Sequence, residues 1–188
     1  MIRLRISALT IAAALAAGLG ACTDRPPLAK PIPAFPGPYR LDAGDQLRIV
    51  VYDQPSLTNL YEIDQSGEVA FPLIGDVDAR NATSDELANR IEARLATAYL
   101  REPDVTVEVA AYRPFFVLGE VGSPGQYAYV PGITAETAIA VAGGFSERAN
   151  KRVVRVSRTV NGKLYESRIT VTDLIRPGDT VYVPESLF

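Results

Sequence analysis

One segment of this chain, ATSDELANRIEARLATAYL over residues 82–100, carries the period of a helix, while the runs on either side carry the period of strands. Leu87, Ile91 and Leu95 recur four apart, with Ala88 and Ala98 beside them, and polar residues such as Arg94 fill much of the remaining surface. That spacing gathers the apolar groups into one stripe of an amphipathic helix of about four turns. Thr83 is placed as its N-cap, and Glu86 stands where a capping box requires it. Pro103 sets the stop near Leu100. A stripe of this kind must be buried, and the neighbouring runs supply the surface. LRIVVY (47–52), NLYEI (59–63) and EVAF (68–71, after the Gln65-Ser66-Gly67 turn) read as strands, and LIGDV (73–77) is a further turn-bounded piece. VTVEVAAY (105–112) alternates, with Val105, Val107 and Val109 on one side. One helix over a small mixed sheet buries both apolar faces.

A second unit begins after Pro114. FFVLG (115–119) and QYAYV (126–130) read as neighbouring strands across the Gly122-Ser123-Pro124-Gly125 turn, which is expected to need a positive φ at Gly125. Thr134 caps a short helix, AETAIAVA, which Gly143 closes in a left-handed C-cap and from which Gly144 continues the turn. RVVRVSR (152–158) pairs with KLYESRITV across Asn161-Gly162, a strong hairpin signal, and TVYV (180–183) is the last strand. Strand, turn, strand, short helix, hairpin, strand is the order of a β-grasp. The fold class expected is therefore α+β, as two small mixed α/β domains with the second a β-grasp.

The two units echo each other at one point. The first opens with Gly44-Asp45 before a strand and the last strand of the second follows Gly178-Asp179. Gly accepts positive φ and Asp bonds its own backbone, so turn chemistry alone accounts for both pairs. Neither aspartate has a partner carboxylate at a spacing that identifies acid–base chemistry.

Upstream of both units lies MIRLRISALTIAAALAAGLGAC. Arg3 and Arg5 precede an uncharged apolar run over residues 6–21, the pattern of a secretory signal. The only cysteine, Cys22, follows Leu19-Gly20-Ala21 at its end and resembles a bacterial lipobox. By that resemblance its sulfur takes a diacylglyceryl group and becomes the mature N-terminus. Thr23 after it, in place of aspartate, favours the outer membrane. Residues 23–38 contain six prolines and read as a semi-rigid tether. The expected layout is a signal peptide over 1–21, a tether over 22–38, and domains over 39–112 and 113–188.

Composition excludes several functions. Removing Arg3 and Arg5 takes the formal charge from −3 to −5, and no long basic run offers a nucleic-acid footprint. There is no histidine and no second cysteine, which excludes Ser-His, Cys-His and histidine-metal sites. No catalytic residue, metal ligand or cofactor is expected.

YRLDAGDQLRIVVYDQPSL, followed by GEVAFPLIGDVDARNATSDELANRIEARLATAYLREPDVTVEV, resembles the polysaccharide export domain of Wza-like outer-membrane proteins. Gly44-Asp45, Gly67, Phe71-Pro72-Leu73-Ile74-Gly75, the capped helix and Pro103-x-Val105-x-Val107 carry the likeness. FFVLGEVGSPGQYAYVPG, Ala142-Gly143-Gly144 and PGDTVYVPE resemble the β-grasp domain known as SLBB. The resemblance implies passage of a polysaccharide through a ring-like homo-oligomer, with no bond made or broken. It also implies an inner-membrane copolymerase as partner. PESLF cannot cross a membrane as helix or strand, so a separate outer-membrane β-barrel or a longer paralogue is expected to form the pore. On this reading Gly119, Gly122, Pro124, Gly125, Tyr127 and Tyr129 form a surface for a neighbouring protomer or a sliding glycan. Gly44, Asp45, Gly75, Gly143, Gly144, Gly178 and Asp179 are turn residues. Two alternatives stay open. The tyrosines can instead finish a small core, and the chain can be a periplasmic lipoprotein that binds a small ligand or cell-wall glycan without moving it.

Overall fold

The computed structural model describes residues 37–160 and 162–186; the signal, Cys22 and most of the tether lie outside the described residues. Two hydrophobic cores follow one another along the chain. In the first unit β1 (Gln46–Val51) sits between β2 (Asn59–Glu62) and β5 (Val105–Ala111) in an antiparallel sheet. β3 (Glu68–Phe71) and β4 (Gly75–Asp78) form a separate antiparallel hairpin. Leu47, Ile49 and Val51 alternate inward from β1 and meet Leu87, Ile91 and Leu95 of helix α1 (Ser84–Ala98), all of them buried. The capping box forms as the sequence predicts, since Thr83 Oγ1 accepts from the Glu86 N–H and the Glu86 carboxylate accepts from the Thr83 N–H. Arg90 and Arg94 reach from α1 to the carbonyls of Asp78 and Asp76, which ties the helix to β4. Every strand pair in this unit is antiparallel, so the expected mixed sheet is realised only in the second unit.

There, five strands take the order β7-β6-β10-β8-β9, built from β6 (Phe115–Gly119), β7 (Gly125–Tyr127), β8 (Val153–Val160), β9 (Lys163–Thr170) and β10 (Thr180–Val183). β6 and β10 run parallel at the centre, and the other pairs are antiparallel. Helix α2 (Ala135–Val141) contributes Ala135, Ala138 and Ile139 to the core beneath Phe115, Val117, Val154, Val156, Val181 and Val183. This is the β-grasp arrangement. Its helix ends in paired bonds from Gly144 N to the Ile139 carbonyl and from Gly143 N to the Ala140 carbonyl, the Schellman geometry that a left-handed Gly143 permits. Gly162 turns the β8–β9 hairpin, and Asn161 lies outside the described residues.

The hairpin between β6 and β7 departs from expectation in two ways. The second strand is shorter, ending at Tyr127, and Tyr129 beyond it donates its hydroxyl to the Ile175 carbonyl. Gly125 does not need a positive φ; the left-handed residue of this hairpin is Gly119, at φ 89°. A Cβ on Gly119 would stand 2.2 Å from the Val183 carbonyl oxygen, because β10 pairs flush against it. A Cβ on Gly122 would stand 2.7 Å from the Gly143 carbonyl oxygen. One on Gly125 would meet only a Tyr127 ring carbon at 3.9 Å. Gly119→Ala combines left-handed strain with a backbone clash and should destabilise by roughly 2–4 kcal/mol. Gly125→Ala should stay within about 0.5 kcal/mol of the parent. Urea denaturation of the two variants side by side checks the ranking, and equal midpoints would refute it.

Candidate functional site

The two Gly-Asp turns have the same geometry. In the first, Asp45 N–H donates to the Asp42 carbonyl at 3.2 Å and the Asp42 N–H donates to the Asp45 carboxylate at 3.0 Å. In the second, Asp179 N–H donates to the Arg176 carbonyl at 3.1 Å and the Arg176 N–H donates to the Asp179 carboxylate at 2.8 Å. Gly44 and Gly178 occupy the third position at φ 86° and 80°, the requirement of a type II turn, and Pro177 suits the second position. Turn chemistry is therefore present at both sites, but it does not exhaust them. Asp45 and Asp179 are fully buried, the only charged residues so buried among those described.

Each carboxylate holds an arginine. Asp179 takes a bidentate pair from Arg158, Nε to Oδ1 at 2.7 Å and Nη2 to Oδ2 at 2.6 Å. Asp45 takes the Arg113 N–H at 2.9 Å, Arg113 Nη1 at 3.2 Å, and the Tyr39 hydroxyl at 2.7 Å. Tyr39 in turn accepts from Arg113 Nη1 at 2.9 Å. Arg113 stands between the two units, and both turns close on it. A Cβ at Gly178 would lie 2.8 Å from its Nε, and one at Gly44 would lie 3.5 Å from its Cβ. The Gly178 N–H donates to the Pro114 carbonyl and the Phe116 N–H to the Asp179 carbonyl, so the second turn is fixed to the start of β6. Tyr39, Tyr112 and Tyr129 continue the junction as two edge-to-face contacts, with ring centroids 4.9 and 5.5 Å apart.

Burial pushes the Tyr39 phenol well above its usual range, with the Arg113 cation pulling the other way and the Asp45 carboxylate adding to the rise. The folded protein thus keeps this proton to higher pH than the unfolded chain, whose tyrosine titrates near 10.

A cleft of about 800 Å³ opens over this junction. Arg40, Arg80 and Arg113 line it from one side, Arg158, Arg176 and Tyr129 from the other. Among the described residues Asp42 is the only acidic one in its wall. Burial, and after it the neighbouring Arg158 charge, holds Arg176 below the usual arginine range.

The six hairpin residues do not converge on this cleft as a group. Only Tyr129 lines it, half-buried, with its hydroxyl donating to the Ile175 carbonyl at 3.3 Å. Tyr127 stacks on Phe115 and donates to the Ser123 carbonyl, and both tyrosines pack against the second core. Gly122 faces Gly143 backbone to backbone, and Ser123 N–H donates to the Ala142 carbonyl, so this loop is strapped to the end of α2. Pro124 is exposed. Gly75 opens β4, and Gly143 and Gly144 close α2. Reasoning from sequence passed over Arg113, Arg158, Arg176 and Tyr112. The sole signal was the repeated Gly-Asp turn, whose partners stand 68 and 21 residues away. Among the described residues no group of three or more His, Cys, Asp and Glu side chains is placed to hold a metal ion.

Arg158→Met should leave Asp179 buried without its cation and destabilise the protein by roughly 3–5 kcal/mol in urea denaturation. Tyr39→Phe should flatten the alkaline limb of stability. The phenol's contribution is complete below pH 10 and falls as pH rises above it, so the parent should lose more unfolding free energy between pH 9 and pH 11.5 than the variant does. Parallel slopes in the two proteins would remove Tyr39 from the pH response.

Comparison with known proteins places this architecture. The family model described as "Polysaccharide biosynthesis/export protein" matches residues 33–110, and the SLBB domain model matches residues 113–183. The chain is 31% identical to the exopolysaccharide production protein ExoF of Rhizobium meliloti, over 79% of this chain and 41% of that protein. It is 31% identical to the EPS I polysaccharide export outer membrane protein EpsA of Ralstonia nicotianae, over 82% of this chain and 49% of that protein. The EpsA of Ralstonia solanacearum is 30% identical, over 78% of this chain and 48% of that protein. The chain spans about half the length of the curated relatives it matches. With an export unit and an SLBB unit in succession, joined at Arg113, it belongs to the Wza-like polysaccharide export family.

Proposed function

We propose that this protein is a periplasmic component of a polysaccharide export machine, anchored to the outer membrane, and that it forms part of the translocation conduit without catalysis. The observation that carries this reading is the succession of the two family matches over residues 33–183, shared with relatives whose names place them in exopolysaccharide production and outer-membrane export. The chemistry of the junction supports a mechanical role. Its two buried carboxylates are each committed to a backbone turn and an arginine.

Assembly into a ring-like homo-oligomer is part of the proposal. β9 ends the five-stranded sheet with eight residues, and β2 and β5 end the three-stranded one. Such edges can pair with a neighbouring protomer. The hairpin with Pro124, Gly125, Tyr127 and Tyr129 belongs to the same question of assembly or glycan contact. An inner-membrane copolymerase, and a separate outer-membrane β-barrel or longer paralogue, are the proposed partners. No helix among the described residues is long and apolar enough to cross a membrane, which says nothing of strands. Anchorage through an acylated Cys22 is part of the proposal. The proposed layout keeps the signal over 1–21, the tether over 22–38 and the domain boundary at 112/113.

A second reading has the cleft in its favour: a lipoprotein that holds a small ligand or cell-wall glycan without moving it. Deleting the gene separates the two. Export predicts a loss of extracellular polysaccharide that the intact gene restores, whereas an unchanged yield of secreted glycan would leave only the binding reading. In the complemented strain, Cys22→Ser should release the protein from the membrane fraction, and mass spectrometry of the native protein should find a diacylglyceryl-modified Cys22 as residue one. Native mass spectrometry after gentle extraction should show a discrete multiple of the protomer. A monomer at every concentration, lipid intact, would count against the ring.

A further inference from the structure

We propose that the arginine cleft between the two units is a binding site for an acidic saccharide, one whose sugar rings carry carboxylates. The proposal rests on the export reading for its choice of a saccharide; the anion preference rests on the cleft alone. Five guanidinium groups, those of Arg40, Arg80, Arg113, Arg158 and Arg176, converge on one opening of about 800 Å³. Against Asp42, Asp45, Asp179 and Glu86, which pair with them, the five leave a local excess of one positive charge in a chain whose formal charge is −3.

The arginines divide into two sets. Arg113 and Arg158 are pinned, with side chains only 20% and 13% exposed: Arg158 locks its fork onto the buried Asp179, and Arg113 reaches the buried Asp45 through Nη1 while its Nη2 stands 3.8 Å from Asp42. The Arg158 pair uses Nε and Nη2, so Nη1 is left out of it. Such groups present donors at fixed positions with little ordering left to do on binding. Arg40 and Arg80 are more exposed, at 49% and 44%; Arg40 donates to the Asn81 carbonyl at 2.7 Å and pairs with Glu86, and Arg80 donates to the Gln65 carbonyl at 2.6 Å and stands 3.9 Å from Asp42. They can swing onto a ligand at small cost, since exposed pairs contribute little. Arg176 lines the same opening and adds a cation beside Arg158.

A planar carboxylate fits the arginine fork in two parallel bonds. Tyr129, half-buried, lines the same cleft and brings part of an aromatic surface to it, of use against the apolar face of a sugar ring. Cations and an aromatic wall in one cleft select a glycan with acidic groups over a neutral one. Because the walls belong to both units, an occupied cleft also braces the junction.

Titration calorimetry on the full-length protein in detergent tests this with three probes: hexagalacturonate, neutral maltohexaose and inorganic phosphate. Hexagalacturonate should bind at least tenfold more tightly than maltohexaose and phosphate, and its affinity should fall with added salt. Arg80→Gln with Arg176→Gln should weaken it at least tenfold. Arg155→Gln, whose guanidinium lies over the Tyr182 ring at 4.3 Å and outside the cleft wall, should bind as the parent does. Should the double variant fail to fold by circular dichroism, Arg40→Gln decides in its place, with a loss of at least threefold expected. Absence of hexagalacturonate binding, equal binding by the cleft variants, or phosphate binding as tightly as the hexamer would overturn the proposal. Unchanged glycan secretion after gene deletion would sink the export reading and leave the measured anion preference standing.

Discussion

Asp45 is a carboxylate with no access to water, and its position in the chain makes it answerable to two domains at once. Stripping water from a carboxylate costs several kcal/mol unless hydrogen bonds and a cation replace the solvent. Here the replacements come from Tyr39 and Asp42 within the first unit and from Arg113 at the entrance to the second. The first unit thus cannot satisfy its own opening turn without the residue that begins the next one. Asp179 repeats the arrangement through Arg158, and its turn lies against Arg113 as well. Two small cores that would otherwise sit on a free hinge are held in one orientation by a requirement of charge burial. The aromatic series Tyr39, Tyr112 and Tyr129 adds apolar contact along the same seam.

This explains why a chain with few catalytic residue types still contains buried charge. Buried ion pairs are weak contributors to net stability compared with apolar packing, but they are costly to break and tolerate little misalignment. Under the proposed export role, the exposed strand edges and the cleft are the surfaces offered to other molecules, one through backbone pairing, the other through charge.

How much of this was legible in the sequence follows from the range of each interaction. Leu87, Ile91 and Leu95 declare their helix because the pattern closes within a turn, and Thr83 with Glu86 declare its start for the same reason. The β-grasp order could be read from turn residues such as Gly143 and Gly162. Pairings over long distance could not. Nothing near Arg113 says that its partner is Asp45, and Arg158 looks like one polar position in an alternating strand. In the glycine-rich hairpin, Pro124-Gly125 suggests a left-handed turn that Gly125 does not adopt. The constraint lay instead at Gly119, where another strand approaches its backbone from the far end of the domain. Tyr127 and Tyr129 show the same limit, since their contacts with Phe115 and the Ile175 carbonyl depend on the completed sheet.

The order of strands in the second sheet has a consequence for how the protein comes to be folded. β10 is the last strand in chain order among the described residues, and it occupies the middle of the sheet, between β6 and β8. Until it arrives, β6 and β8 face a gap, and the core lacks Val181 and Val183. Parallel closure over more than sixty residues, from Phe116 to Thr180, is slow by the entropy of loop closure. The first unit, whose strands and helix are complete by Ala111, has no such wait. A chain emerging from its N-terminus can therefore build its first unit early, while the second stays open, with two unpaired edges exposed, until its final strand is inserted.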